Sequence, residues 1–300
     1  MSNIVSFSKF LSQTSNESES LEEDLITLGG NRYPNFNTIL ILQGGAGSGK
    51  DFILDKLIGI EGKVLNVDDL KKLVIKSEAL AGKIKEETGI DIKRMDLRNP
   101  DNVSTLHRVI NDLFKLKDKS MDTFFRAVAA ADPKRKPNVI FNVTAKSIKQ
   151  FDEVRTFAKN FGYKSEDIHV VWVLDDVKAA IKKNLKRDRV VPEDILIETH
   201  QGAAITSKKL LSMGRNISKY MDGDYWLVFN KIFVDSEVVR SDINVEGKVL
   251  KSRSKSKGHF IRDAQFFKLK EQNSAPSINK LKETILGKIR QYVPEISLWN

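Results

Sequence analysis

Four glycines fall within six positions, at Gly44, Gly45, Gly47 and Gly49, between the apolar run Thr38 to Leu42 and an amphipathic stretch opening at Lys50. Placed where a strand gives way to a helix, they let the backbone take conformations closed to other residues and turn N–H groups toward one point. With the partial positive charge of the helix start, those donors make a pocket for an anion. Gly44-Gly45-Ala46-Gly47-Ser48-Gly49-Lys50 fills the phosphate-loop pattern, and Lys50 is placed to reach the β and γ phosphates of a nucleotide. The expected ligand is ATP, cradled by residues Gly44 to Asp51.

Further along, short β-branched apolar runs alternate with longer amphipathic stretches, as in an α/β domain whose parallel strands are covered on both faces. Five strands are predicted, at Thr38 to Leu42, Lys63 to Val67, Asn138 to Val143, His169 to Leu174 and Tyr225 to Asn230. Helices are predicted over about 50–58, 69–87, 104–116, 121–131, 147–161, 177–187 and 193–213, a spacing that favours a right-handed parallel sheet. Residues 1–36 read as a mobile, acidic lead-in and 37–230 as the domain. Residues 231–300 read as a basic appendage, with hairpin strands at Ile232 to Val239 and Asn244 to Leu250 and a helix at Ile278 to Tyr292.

Composition narrows the chemistry. With 300 residues, 40% of them hydrophobic, the chain can bury a substantial core. It has no cysteine, so a disulfide scaffold, a thiolate metal site and a cysteine nucleophile are excluded. No run approaches the ~20 apolar residues of a membrane helix, and Lys9-Phe10-Leu11-Ser12 lacks the apolar core of a signal peptide. The net charge is +10, and between Gly247 and Asn300 twelve Lys or Arg face four Asp or Glu. The excess thus belongs mostly to the appendage, which suits nucleic acid or serves solubility alone. There Phe260, Phe266 and Phe267 interleave with Arg262, Lys268 and Lys270, which fits either a nucleic-acid surface or a small hydrophobic dock.

Asp51 stands where a phosphate loop usually carries Ser or Thr on Mg²⁺. A carboxylate there repels phosphates unless a cation bridges them, so Asp51 reads as a metal ligand, direct or through water, or as a helix-start acid in a weak nucleotide binder. The third strand ends in Asn142-Val143-Thr144, with Asn142 where an Asp would position Mg²⁺; it can hold a metal-bound water but brings no charge. No Glu follows to activate a hydrolytic water, which argues against a motor ATPase and leaves phosphoryl transfer open. Asp68 and Asp69 close the second strand, where ligands of open α/β sheets bind. Asp68 is the first candidate for the base that takes a proton from an attacking hydroxyl and Asp69 the second, with helix capping as the alternative. Arg187 and Arg189 stand at a helix end before Pro192, on a segment able to move, either as a lid clamping phosphate or as solvated arginines. Arg98 is a candidate substrate anchor in the insertion between the second and third strands, which also holds His107. His169 reads as a strand residue, His200 as part of a helix face and His259 as tail, none at metal-ligand spacing. Trp172 and Phe141 read as sheet core.

Gly44 to Asp51, Asp68, Asn142-Val143-Thr144 and Asn184 to His200, taken together, resemble the P-loop kinases of the zeta-toxin and polynucleotide-kinase kind, in detail versions carried by large tailed bacteriophages. The resemblance covers about residues 38–230 and implies a P-loop NTPase fold, a cytoplasmic location (the host's, if phage-encoded) and ATP with Mg²⁺ as cofactors. It also implies Asp68 as the base and Arg187 and Arg189 as the lid arginines. The expected function is transfer of the γ-phosphoryl group to a hydroxyl of nucleic acid or of a nucleotide-like acceptor. The alternative is a nucleotide-binding interaction protein with weak or no turnover that docks to DNA or a protein partner.

Overall fold

The computed structural model describes residues 26–65, 78–109, 126, 128, 130–187, 189–230, 238–239, 260–261, 265–276, 289–290 and 292–293. Its centre is a mixed α/β layer structure. β1 (Ile39–Gln43) is buried along its whole length and lies between β3 (Val139–Val143) and β4 (Ile168–Leu174), parallel to both. β2 (Lys63–Leu65) pairs with β3, and β5 (Tyr225–Phe229) with β4, also in parallel. Such strands are hydrophobic on both faces because helices cover both sides, which is why they read as unbroken apolar runs.

Alternate residues of the strands feed two separate cores. On one face Ile39, Ile41, Val170, Trp172 and Leu227 pack against Phe151, Val154 and Phe157 of a helix at Lys149–Asn160 and against Leu196, Ala204 and Leu210 of a longer one. On the other, Leu40, Leu42, Val171 and Val173 meet Ile53, Leu57 and Ile58. In chain order the helices are α1 (Lys50–Ile53, continuing as a π-turn over Leu54–Ile58), α2 (Glu78–Thr88), α3 (Pro100–Arg108), α4 (Lys149–Asn160), α5 (Val177–Leu185) and α6 (Glu193–Leu211). The insertion has a small core of its own, in which Ala81 and Ile84 of α2 meet Leu106 of α3, Val109 and Ile92. Among the described residues, no helix is long and apolar enough to cross a membrane.

The expected sheet of five parallel strands is corrected to six. Two short strands outside it, β6 (Val238–Val239) and β7 (Phe260–Ile261), pair with each other, while Asn244 to Leu250, the other half of the expected hairpin, lies outside the described residues. β8 (Gln265–Lys270) adds to the free edge of β5, antiparallel, giving the order β2-β3-β1-β4-β5-β8. Phe266 packs edge-on against Trp226 and Phe267 against Phe229, and Lys268 lies 4.8 Å over the Trp226 ring. Of the two readings of the Phe and Lys run, the apolar one holds for these residues.

Lys270 is buried, and its ammonium donates to the carbonyls of Asp222, Gly223 and Glu271 while pairing with the Asp222 carboxylate at 3.0 Å. Burial lowers its pKa and the Asp222 bond opposes that shift. Beside it the Asp224 carboxylate accepts from the backbone N–H of Gly29 and of Gln272, tying segments before β1 and after β8 to the sheet. Ile26 and Leu28, from the stretch read as lead-in, are buried under the sheet, and Trp226 Nε1 donates to the Thr27 carbonyl.

Candidate active site

The glycine loop leaves the carboxyl end of β1, where the connection from β1 to β2 runs to one side and that from β3 to β4 to the other, the place at which open α/β sheets bind ligands. Gly47 and Gly49 have φ of +77° and +85°, conformations that a side chain would strain, and Gly49 caps α1. The Lys50 ammonium donates to the carbonyls of Gly44 and Gly45 at 2.8 and 3.1 Å, so the side chain lies folded over the loop that a phosphate would enter. From the end of β5, Asn230 donates through Nδ2 to the Ser48 carbonyl at 2.9 Å. The loop is thus held from β1 and β5, and its Ala46 is bonded to Thr199 and His200 of α6.

Asp51 and Asn142, the two positions that depart from the usual metal-binding pair, are in contact. Asn142 Nδ2 donates to Asp51 Oδ1 at 2.6 Å. The strand register explains the meeting: Asn142 lies opposite Leu42, so β3 delivers it beside the first turn of α1. Among the described residues, no group of three or more His, Asp or Glu could hold a metal by itself.

Arg187 and Arg189 lie on the turn after α5. Asn184, buried, accepts the Val191 N–H and donates to the Val191 carbonyl, at 3.0 and 2.7 Å, closing the base of that turn. Val190 N–H donates to the Leu97 carbonyl at 2.9 Å, fastening the turn to the insertion. The segment read as free to move is therefore tied at two points, and Arg98, exposed, follows the residue to which it is tied. Asp68 and Asp69 lie outside the described residues, as does the His107 side chain, so the structure does not place the base. His169 and Trp172 are buried in β4 and Phe141 in β3, as expected.

Sequence reasoning gave three groups no role in the site. Asp175, wholly buried after β4, pairs with Lys183 at 3.0 Å and accepts from the Asp176 N–H; burial pushes its pKa up to about 6 against the pull of Lys183. Its signal was the doubled acid at a strand end, Asp175-Asp176, the same signal that singled out Asp68 and Asp69. The other two are Asn230 and the Thr199-His200 pair, whose partners lie 182 and about 154 residues away along the chain, so no local pattern marks them.

Neither a protein-family model nor a curated protein sequence matches the chain. Among solved structures it is similar to the AvrRxo1-ORF1:AvrRxo1-ORF2 complex with ATP and to the same complex with sulphate ions. Each match has 12% identity and a TM-score of 0.43, covering 88% of this chain and 66% of that one. It is also similar to a structure of the PezAT chromosomal toxin-antitoxin system of Streptococcus pneumoniae, at 10% identity and a TM-score of 0.39, covering 67% of this chain and 72% of that one. The chain spans just under two thirds of the AvrRxo1 chains it matches. Likeness at this level leaves function to be read from the residues of the site.

Proposed function

We propose that residues 37–230 form an ATP-dependent kinase that moves the γ-phosphoryl group to a hydroxyl of nucleic acid or of a nucleotide-like acceptor. The observation that carries this reading is the pairing of Asp51 with Asn142 at the mouth of a complete phosphate loop bearing Lys50. Hard oxygen donors, few in number and open on one side, suit Mg²⁺, which takes one or two protein oxygens and completes its shell with phosphates and water. The Asp51 carboxylate and the Asn142 amide oxygen would hold it, and bound there it would offset the charge between Asp51 and the phosphates.

In the transfer, the acceptor oxygen forms a bond to the γ phosphorus as the bond to the β,γ-bridging oxygen breaks, and ADP leaves. Asp68 takes the acceptor's proton. Lys50 and the loop amides hold the β and γ oxygens, and Arg187 and Arg189 stabilise the charge spread over the transferring group. Most of the acceleration then comes from positioning and electrostatics. Arg98, with Asp69 as a second polar contact, would anchor the acceptor, since the Leu97–Val190 bond brings that segment to the arginine turn. The basic residues of 247–300 lying outside β8 would supply contacts to a nucleic-acid acceptor.

The test is transfer of labelled γ-phosphate to a panel comprising a polynucleotide 5′-hydroxyl, a hydroxymethylated base and a nucleotide sugar. A labelled product on any of these supports the kinase. ATP binding with no transfer to any acceptor would favour a nucleotide-dependent docking protein.

A further inference from the structure

Ala46 is the loop residue between the paired and the single glycines, and both of its backbone polar groups are taken by α6. Its N–H donates to Thr199 Oγ1 at 3.0 Å, and that hydroxyl in turn donates to the Leu196 carbonyl at 2.7 Å, so its lone pair is committed to the loop. Its carbonyl lies 2.9 Å from His200 Nε2. A carbonyl can only accept, so Nε2 carries the proton and Nδ1 is bare. Nδ1 is buried and has no partner, and the ring is 1% exposed. Burial pushes the His200 pKa down to about 4, helped by the Lys50 charge and opposed by the Ala46 bond and by Asp176, so the ring is neutral near pH 7. The fit is tight on the other side as well: a Cβ added to Gly45 would run into the His200 ring.

We propose that His200, supported by Thr199, is a positioning residue of the nucleotide site. Its Nε2–H commits the negative end of the Ala46 peptide to α6, so the loop meets the phosphates with N–H groups and not with that carbonyl. A neutral imidazole suits the task because it supplies one rigid donor without a second cation beside Lys50. The inference rests on the reading of the loop as a phosphate site. It makes α6, which begins directly after the arginine turn, part of the phosphate-binding apparatus.

The experiment uses the full chain and two ligands, ATP and inorganic tripolyphosphate, titrated by calorimetry into wild type, His200→Leu and His200→Gln, with a thermal melt of each. His200 acts through the loop and not on the base, so His200→Leu should weaken both ligands by a similar factor, about tenfold for one missing bond and a stranded carbonyl. His200→Gln, which keeps a donor, should recover most of the loss even if the two variants melt alike. Nitrogen-15 spectra of the wild-type side chains should show the Nε2–H tautomer from pH 6 to 8. Undiminished affinity in a folded His200→Leu, or a Gln variant as weak as Leu at equal stability, overturns the proposal, as does an Nδ1–H tautomer. If His200→Leu does not fold, the Gln variant and the spectra decide it. Wild type that binds neither ligand overturns the phosphate-loop reading itself, a different result from the loss of the His200 effect.

Discussion

Asn142 donates its amide N–H to the carboxylate of Asp51 at 2.6 Å, joining the third strand to the first turn of the helix that follows the phosphate loop. In the usual pair the loop offers a neutral hydroxyl and the strand a carboxylate. Here the loop offers the carboxylate and the strand a neutral amide, so one negative charge is kept and its position exchanged. Asn142→Asp alone sets two carboxylates face to face and should weaken ATP binding in EDTA by about tenfold, with a smaller loss in Mg²⁺. Combining it with Asp51→Ser should return the wild-type response to Mg²⁺. Calorimetry with and without Mg²⁺ decides; equal losses in the two conditions would separate the pair from metal binding.

Lys50 is the cation of the loop and already sits over its carbonyls. Lys50→Ala should cost roughly 1.5 to 3 kcal/mol of ATP affinity, the worth of a hydrogen bond to a charged group, or about 10- to 150-fold in Kd. An unchanged Kd would remove the loop from nucleotide binding.

Asp68→Asn should lower phosphoryl transfer by about 10²-fold or more while leaving ATP affinity nearly intact, because a base acts on the transition state. Asp69→Asn should do less. Single-turnover transfer beside ATP titration reads both, and the reverse ranking would move the role to Asp69.

Acid should destabilise the fold through its buried histidines. Burial pushes His169 and His200 down to about 4 from an ordinary value of 6.5. Between those values the unfolded chain binds protons that the folded chain refuses, so stability is lost as pH falls from 6.5 toward 4. The full effect is on the order of 3 kcal/mol for His200, and His169, beside Asp224, acts in the same direction. Asp175, raised to about 6 from 3.8, runs the other way, favouring the fold as pH falls from 6 to 4. Asp167, its pKa also raised by burial, acts in the same sense as Asp175, and the two rings together outweigh these acids. Melting temperatures at pH 7 and pH 4.5 should therefore differ, by less in His200→Gln and by more in Asp175→Asn, and equal gaps in all three proteins would contradict this assignment.

Deleting Lys248 to Asn300 should unfold the protein and not merely discharge it, because β8 and the buried Lys270 go with the tail. The charge is better tested by changing Lys248, Lys251, Arg253, Lys255 and Lys257 to Gln in the full chain. If these residues hold DNA, affinity should fall and its dependence on salt should flatten by about 0.9 in log–log slope for each duplex phosphate that is no longer neutralised. Circular dichroism of the truncation and binding at several salt concentrations check the two halves, and an unaltered slope would leave the charge a matter of solubility.

The parallel strands and the loop were legible because their physics is local. A strand covered on both faces must be apolar throughout, as Ile39-Leu40-Ile41-Leu42 is, and a phosphate nest needs glycines side by side. The identities of Asp51 and Asn142 were equally plain, and their contact follows from the neighbouring positions of β1 and β3. β8 was hidden because Phe266-Phe267-Lys268-Leu269-Lys270 carries lysines that ordinarily face water. Their role depends on the Trp226 ring and on carbonyls at 222, 223 and 271, brought together only in the folded chain. The bond from His200 to Ala46 was hidden for the same reason.

The strand at this edge of the sheet is also made after all the others that it joins. While residues up to 230 emerge, β5 carries an open row of backbone donors and acceptors along one edge, a template on which other extended chains can pair. The nascent domain therefore waits, with β5 uncovered, for about forty further residues. A stop codon between 230 and 265 leaves that edge uncovered for good, and cells making such fragments should accumulate them as aggregates even though each carries the whole phosphate-loop sequence.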